Sequence, residues 1–205
     1  DLLLSFLKPS SYHDSDDQIY AIFSLGEIGD KKAIDNIIPF ILSGESKIRE
    51  HAAAALDKIG WVPENDRQKA YYFISKKKFD EASKVANSNF NLLYELYNDS
   101  NPKIHKFASN TLNYFNNEEE IEPLNKIIKE SDDKNKISFA IRALSAIGKP
   151  AVESLIQLLD ADISVDKVQI IKILGELKDE RAIEPLAKLV NNYGYEVLQA
   201  LNNIG

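Results

Sequence analysis

The 205-residue sequence contains no cysteine and no methionine, and it holds a single tryptophan. Without cysteine the chain can form no disulfide, no thiolate zinc site and no thiol nucleophile. This composition agrees with a reducing compartment, and we predict a cytoplasmic location. Because methionine is missing, we also expect the chain to be part of a longer or processed protein.

Long apolar runs and an excess of positive charge are missing as well. The apolar stretch near the start, "LLLSFL" at 2–7, is far shorter than the roughly 20 residues that span a bilayer. Lysine and arginine number 25 against 32 acidic residues, a formal net charge of −7. The one dense basic run is "KKK" at 76–78, whereas nucleic-acid binding draws on a basic face. We therefore predict neither a membrane nor a nucleic acid as partner.

No metal or cofactor pattern is present in the sequence. The three histidines, His13, His51 and His105, stand at no spacing typical of a metal site. The glycines of "GEIGD" at 26–30 lack the lysine and serine of a phosphate-binding loop. We predict no catalytic residue, no metal and no cofactor, which favours a protein without enzymatic activity.

A five-residue pattern that starts with leucine and commonly ends with glycine recurs along the chain. Its six copies are "LGEIG" at 25–29, "LDKIG" at 56–60, "LNYFN" at 112–116, "LSAIG" at 144–148, "LGELK" at 174–178 and "LNNIG" at 201–205. Most copies lie about 30 residues apart, the period of a stacked helical repeat. The double interval between Leu56 and Leu112 indicates a degenerate copy.

Each copy ends a predicted amphipathic helix, which we call a pattern helix. In the stretch "KIREHAAAALDKIG" at 47–60, Ile48, Leu56 and Ile59 share one apolar stripe. A small residue stands four positions before the leucine in four copies, namely Ala21, Ala52, Ala108 and Ala140. We expect it to let a neighbouring helix approach closely. The closing glycine suits the left-handed backbone that ends a helix.

A further predicted helix follows each stop and begins the next repeat. These segments are "AIDNIIPFIL" from Ala33, "IEPLNKII" from Ile121, "AVESLIQLL" from Ala151 and "AIEPLAKLV" from Ala182. Pro39 lies deep in the first of them and predicts a kink or a later start. The sequences "SDDQ" at 15–18 and "NEEE" at 117–120 predict capping boxes. Since no segment alternates like a strand, the predicted unit is a pair of antiparallel helices.

These pairs resemble the HEAT repeat, and within that superfamily the short HEAT-like repeats of the phycobilisome-lyase type. The resemblance rests on residues 33–60 and 151–190 and extends over nearly the whole chain. In this family an arginine often follows the first stripe position, and Arg49 keeps it here. The resemblance implies an all-α, right-handed α-α superhelical solenoid of about seven repeats in one domain, 1–205. Their approximate bounds are 1–29, 30–60, 61–88, 89–116, 117–148, 149–178 and 179–205.

The third repeat, 61–88, is the degenerate one and contains the tryptophan. Gly60, Trp61, Pro63 and Asp66 begin a G-W-x-P-x-x-D module similar to one in prokaryotic HEAT-like proteins. We predict that Pro63 starts a helix. We also predict that Trp61 packs over the seam between stacked repeats, since an indole buries a large apolar area.

The remaining candidate for function is a surface. In such solenoids the second helix of each repeat, here the pattern helix, generally lines the concave side. Positions five and two before the pattern leucine point away from the buried stripe. We predict seven residues there as partner-binding: Tyr20, Phe23, His51, Phe107, Phe139, Arg142 and Lys172. The alternative is that adjacent pattern helices bury these aromatic rings against each other.

The sequence thus predicts a non-enzymatic scaffold that binds a protein or peptide partner on its concave helix face. The alternative implied by the resemblance is a bilin lyase-type subunit that acts on a tetrapyrrole-bearing protein. The first and last helices, "DLLLSFL" and "YEVLQALNNIG", keep apolar stripes, whereas terminal repeats need polar outer faces. We therefore expect the ends to be completed by further residues or by self-association.

Overall fold

A computed structural model describes residues 2–8, 14–160 and 165–205, and every regular element within these ranges is a helix. His13 lies outside the described residues. The prediction of an all-α fold built from successive helices is confirmed. The handedness of the superhelix, the number of repeats and the single domain stay predictions.

The described helices are short and follow one another closely. They are α1 Leu2–Phe6, α2 Ser15–Ile28, α3 Ile34–Ile37, α4 Ser46–Ile59, α5 Asp66–Ser75, α6 Phe79–Ala86, α7 Phe90–Tyr97, α8 Pro102–Leu112, α9 Ile121–Glu130, α10 Lys134–Ile147, α11 Val152–Asp160, α12 Lys167–Leu177, α13 Ile183–Ala187 and α14 Gly194–Ile204. Short 3₁₀ helices cover Lys31–Ala33, Ile38–Leu42, Glu118–Glu120, Lys149–Ala151 and Glu180–Ala182. None of the described helices is both long and apolar enough to cross a membrane.

The helices assemble into two compact units. The first comprises Asp1–Ala86 with Glu95–Ser109, and the second comprises Asn87–Tyr94 with Asn110–Gly205. In the first unit α2 packs against α4, and the apolar core there includes the fully buried side chains of Ile22 and Leu56. In the second unit α12 packs against α11 and α14, and Leu174 and Val197 are fully buried.

Left-handed residues end several pattern helices, as predicted. Gly29 and Gly60 have φ angles of 71° and 78°. After α4, the N–H of Gly60 donates to Asp57 O at 3.0 Å, and the N–H of Trp61 donates to Leu56 O at 3.0 Å. These two bonds form a Schellman motif, which satisfies carbonyls that the helix would otherwise leave unpaired.

The two predicted capping boxes form differently from the prediction. Helix α2 is capped by Asp14, whose side chain accepts from the N–H groups of Asp16 and Asp17 at 3.0 and 2.9 Å. The box starting at Ser15 was therefore wrong by one residue, because aspartate at 14 competes as the cap. Ser15 Oγ instead donates to Glu45 Oε1 at 2.9 Å.

The second box is formed in half. Asn117 accepts from the N–H of Glu119 at 3.2 Å and caps the short 3₁₀ helix there. Glu120 does not complete the box, since its carboxylate accepts from the N–H of Phe90 at 3.4 Å. Near Pro39, α3 ends at Ile37 and the chain continues as a 3₁₀ helix over Ile38–Leu42, so the proline marks a change of helix type.

The helix that follows Trp61 begins later than predicted. Pro63 does not begin the helix; α5 begins at Asp66, and the Asn65 side chain caps it by accepting from the N–H of Gln68 at 2.9 Å. Trp61 is buried in the core of the first unit, and its ring meets that of Tyr72 edge-on at 5.8 Å. Trp61 is therefore a buried core residue, and its predicted place over the seam between stacked repeats stays a prediction.

Two glycines let neighbouring pattern helices approach closely. A Cβ placed on Gly26 would lie 2.8 Å from Cα of Ala55, across the α2–α4 contact. A Cβ on Gly175 would lie 2.7 Å from Cα of Ala200, across the α12–α14 contact. Real Cβ atoms do not come this close to backbone, so both contacts require glycine. Ala21, one of the alanines expected to do this, is buried but lies one turn earlier.

We expect the Gly175→Leu substitution to destabilise the protein by about 1–3 kcal/mol, because α14 must move away to admit the side chain. The measurement is the free energy of unfolding from urea titrations followed by circular dichroism. Gly194→Ala is the control, since a Cβ at Gly194 meets nothing within 4 Å. The control should be neutral or slightly stabilising. Equal stability of the Gly175→Leu protein and the wild type would contradict the close contact.

Candidate functional site

A groove lies in the second unit, which includes the end of α8 from Asn110 onward. It has a volume of about 440 Å³ and is formed by the end of α8, the later half of α10 and one face of α12. Its base contains Leu112 and Ile173, which are 1% and 7% exposed. Its rim is formed by five polar residues that are more exposed than the base, namely Asn113, Arg142, Ser145, Gln169 and Glu176. A small apolar base is thus enclosed by a polar rim.

Helical periodicity places these side chains together. On α12, Gln169, Ile173 and Glu176 are four and three residues apart, so they lie along one face. On α10, Arg142 and Ser145 are three residues apart and face the same groove. Each helix therefore contributes one stripe to the groove.

The rim side chains form no hydrogen bond or ion pair with other residues of the ranges that the structure describes. Asparagine and glutamine amides each offer donors and an acceptor, arginine offers donors and a carboxylate offers acceptors. The main chain of an extended peptide offers one donor and one acceptor at most residues. The rim can therefore hydrogen-bond a peptide backbone while the base accepts a small apolar side chain.

In the first unit, several polar side chains on α2 and α4 and at the end of α5 are paired with each other. Lys58 forms an ion pair with Glu27, and Asp57 is held by the Tyr72 hydroxyl and by Lys76. These groups have partners within the protein, so they offer less to a ligand than the groove rim does.

A second hollow adjoins the groove at Gln169, which lines both. It has a volume of about 360 Å³, lies between α10 and α12, and includes Ile137 and Ile141. The Asp166 side chain at its edge caps α12 by accepting from the N–H of Gln169 at 3.2 Å. The groove therefore continues along α10 and has room for more than one residue of a bound segment.

Two of the predicted partner-binding aromatic residues are buried. Phe139 is 2% exposed, and its ring centroid lies 5.6 Å from that of Phe90 and 5.3 Å from that of Tyr94. Phe107 is 9% exposed and packs against Phe79 at 5.7 Å. The prediction that these rings face solvent was wrong, because rings from α7 and α6 cover them. The alternative was right that these rings are buried, but the rings that cover them are Phe79, Phe90 and Tyr94, which it did not name.

The other predicted residues of the first unit are exposed. Tyr20 and Phe23 on α2 are 70% and 49% exposed, and the Lys58 ammonium lies 5.1 Å from the centre of the Phe23 ring. His51 on α4 is partly exposed. A partner-binding role for these three residues stays a prediction.

In the second unit the structure brings one predicted residue into the groove. Arg142 lines it, whereas Lys172 is exposed on α12 but is not part of its lining. Gln169, like Phe139, stands five positions before the pattern leucine, but it was not predicted to bind a partner because it lacks an aromatic ring. Asn113, Ser145 and Glu176 were missed; the 169–173–176 spacing was the one signal that could have indicated them.

No group of three or more histidine and acidic residues in the described ranges could hold a metal ion. His105 is engaged locally: its Nδ1 is hydrogen-bonded to the carbonyl oxygen of Tyr97, and the two rings are 4.4 Å apart.

The fold and the groove define a class of protein built from short paired helices with an exposed groove. The family model described as PBS lyase HEAT-like repeat matches residues 17–43 and 166–192. The chain therefore carries HEAT-like repeats of this type, as the sequence predicted. No curated protein matches the chain.

The two matched segments share a local structure. Each contains the close-contact glycine, Gly26 or Gly175, and then an aspartate that caps a 3₁₀ helix. The Asp30 side chain accepts a hydrogen bond from the N–H of Lys32 at 3.0 Å. The Asp179 side chain accepts one from the N–H of Arg181 at 3.1 Å. The repeat pattern thus encodes both the helix contact and the start of the next helix.

Proposed function

We propose that this protein is a non-enzymatic scaffold that binds an extended segment of a partner protein in the groove formed by α8, α10 and α12. The observation that carries the proposal is the rim of polar side chains without partners in the described ranges around the buried base. Unpaired amide and guanidinium groups at a rim gain most from a ligand that brings its own unpaired backbone groups. A partner helix would fit less well, since its backbone groups are already bonded.

The alternative is a lyase-type subunit that acts on a tetrapyrrole-bearing protein. The observation in its favour is the match to the repeat described as PBS lyase HEAT-like. The groove volume of about 440 Å³ lies within the range of small-ligand sites. Such sites are lined mainly by apolar and aromatic side chains, whereas this rim is polar, so we favour the peptide.

The test is selection of linear peptides from a random phage library on the immobilised protein, followed by calorimetry with the selected peptides. We expect Gln169→Ala and Arg142→Ala to weaken binding by about 3- to 10-fold each, the loss of one or two hydrogen bonds. Gln157→Ala is the matched control, because Gln157 is exposed on α11 and does not line the groove. It should leave the affinity unchanged.

Two outcomes would overturn the proposal. One is that every selected peptide binds the groove variants as tightly as the wild type. The other is that no peptide is enriched, whereas an added bilin changes its absorbance with the wild type and not with Arg142→Ala. The second outcome would support the lyase alternative.

A further inference from the structure

A separate cavity lies in the first unit. It has a volume of about 210 Å³, is open to solvent on one side and is bordered by the start of α4, the end of α5, the start of α6 and the start of α8. An apolar cavity of about 150 Å³ is enough to hold a benzene molecule. This cavity therefore has room for one ring or a short branched chain together with a charged group.

Three cations from three different segments line the cavity. They are Arg49 on α4, Lys77 just after α5 and Lys103 on α8, and Glu50 is the one carboxylate in the lining. Lys77 Nζ lies 3.5 Å from Glu50 Oε2, so this pair offsets one charge. Lys103 has no ion-pair partner among the described residues. The lining therefore keeps an excess of positive charge.

Arg49 is held rigidly within this lining. It is 3% exposed, and its guanidinium donates to Ser43 O and to Ser46 Oγ, the latter at 3.1 Å. Burial lowers the pKa of Arg49, while the nearby Asp99 carboxylate opposes this shift. An arginine remains charged under such conditions, and a buried charge is costly unless it is compensated. An anion in the cavity would add to that compensation.

The rest of the lining is mainly apolar. Ile74, Phe79 and Ile104 contribute side chains from α5, α6 and α8. Phe79 is held in place by its contact with the buried Phe107 ring at 5.7 Å. Cations and apolar walls in one small cavity suit a ligand that has an anionic end and a compact apolar body.

Lys77 occupies a backbone position that normally belongs to glycine. Its φ angle is 59°, and the N–H groups of Lys77 and Lys78 donate to Ile74 O and Phe73 O at 3.0 and 2.8 Å. These bonds form a Schellman motif in which glycine would avoid the steric cost of the left-handed region. A lysine held there against that cost suggests a function for its side chain.

From the cavity, its three cations and the position of Lys77, we infer that this site binds a small organic carboxylate or phosphate ester with a compact apolar body. The anionic group would lie among Arg49, Lys77 and Lys103, and the body would pack on Ile74, Phe79 and Ile104. Guanidinium and ammonium donors pair with both carboxylates and phosphates. This site is separate from the groove proposed to bind peptides.

The test uses benzoate and phenyl phosphate as probes, with benzyl alcohol and inorganic phosphate as controls for each half of the ligand. Affinity is measured by calorimetry at low salt, and the melting temperature by circular dichroism. We expect one or both aromatic anions to bind and to raise the Tm. Benzyl alcohol and inorganic phosphate should each bind at least about ten-fold more weakly.

Lys77→Gly provides the sharp variant. It should weaken binding of the aromatic anion about ten-fold, while the Tm of the free protein stays equal or rises because the left-handed strain is relieved. The control is Lys178→Gly, since Lys178 is the other left-handed lysine, with φ 51°, and does not line the cavity. Like Lys77→Gly, the Lys178→Gly substitution removes one positive charge and relieves a left-handed backbone. It should nevertheless leave the affinity for the aromatic anion unchanged.

Three results would overturn the inference. Equal binding of benzyl alcohol and benzoate would show an apolar cavity without anion recognition. Equal losses in the Lys77→Gly and Lys178→Gly variants would show an effect of overall charge. Failure of both aromatic anions to bind at millimolar concentration would show that the cations only stabilise the fold.

Discussion

Phe139→Ala is expected to lower the free energy of unfolding by about 3–5 kcal/mol, the usual cost of truncating a buried phenylalanine. The ring is 2% exposed and is packed between Phe90 and Tyr94, which lie before it in the same unit. Removing it would leave a cavity that these neighbours cannot fill without moving off their preferred rotamers. Urea titration followed by circular dichroism measures the loss.

Tyr114→Ala is the matched control for this variant. Its side chain is an aromatic ring in the same unit, but it is 75% exposed. The control should change stability by less than about 0.5 kcal/mol, as surface substitutions usually do. If Phe139→Ala kept its stability but lost peptide binding, Phe139 would be a binding residue, as the sequence alone suggested, and its assignment to the core would be wrong.

The contrast between Phe139 and Gly60 shows which features of the fold could be predicted. A helix stop depends on a few neighbouring residues, so the pattern glycines identified it correctly. The exposure of a ring depends on residues that are distant in the sequence. Phe139 is covered by Phe90, and Phe107 is covered by Phe79 from the degenerate repeat. The repeat register could not locate Phe79, since 61–88 departs from the pattern.

The helix contacts show a second limit of the same kind. A small residue four positions before the pattern leucine was expected to allow close approach, and Ala52 is indeed buried. A contact too close for any side chain occurs at Gly26 and Gly175, one position after the leucine. Both positions lie on the apolar face, and sequence spacing alone cannot choose between them because the crossing point depends on the tilt of the two helices.

The groove was predictable only in part for a related reason. Arg142 was selected from its register, and Gln169 belongs to the same set of positions. Asn113 lies just past the end of α8, where the helical register no longer defines its direction. A groove shared by three helices requires knowledge of their relative positions, which a single periodic pattern does not contain.

Trp61→Ala is the second substitution expected to have a large effect, about 3–5 kcal/mol. Trp61 is 9% exposed and belongs to the core of the first unit, where its ring packs edge-on against Tyr72 at 5.8 Å. Such an aromatic contact adds about 0.5–1.5 kcal/mol to the effect of area burial. Because Trp61 directly follows the stop of α4, its loss also loosens the junction with α5.

Trp61→Phe separates the two properties of the indole. Its Nε1 is buried and has no hydrogen-bond partner among the described residues, and an unpaired buried donor costs about 1–3 kcal/mol. Phenylalanine keeps an aromatic ring against Tyr72 and removes that donor. We therefore expect Trp61→Phe to cost roughly 1–2 kcal/mol, well below the alanine variant. Circular dichroism must be the probe, since both variants lack the only tryptophan of the chain.

The comparison of the two variants determines what the ring does. A phenylalanine variant as unstable as the alanine variant would show that the indole N–H has a partner, such as a buried water, whose loss is costly. An alanine variant that lost less than about 1 kcal/mol would show that the ring lies on the surface and that the seam is held by other residues. Only a large loss for alanine and a small loss for phenylalanine agrees with a buried aromatic ring whose unpaired N–H lowers stability rather than adding to it.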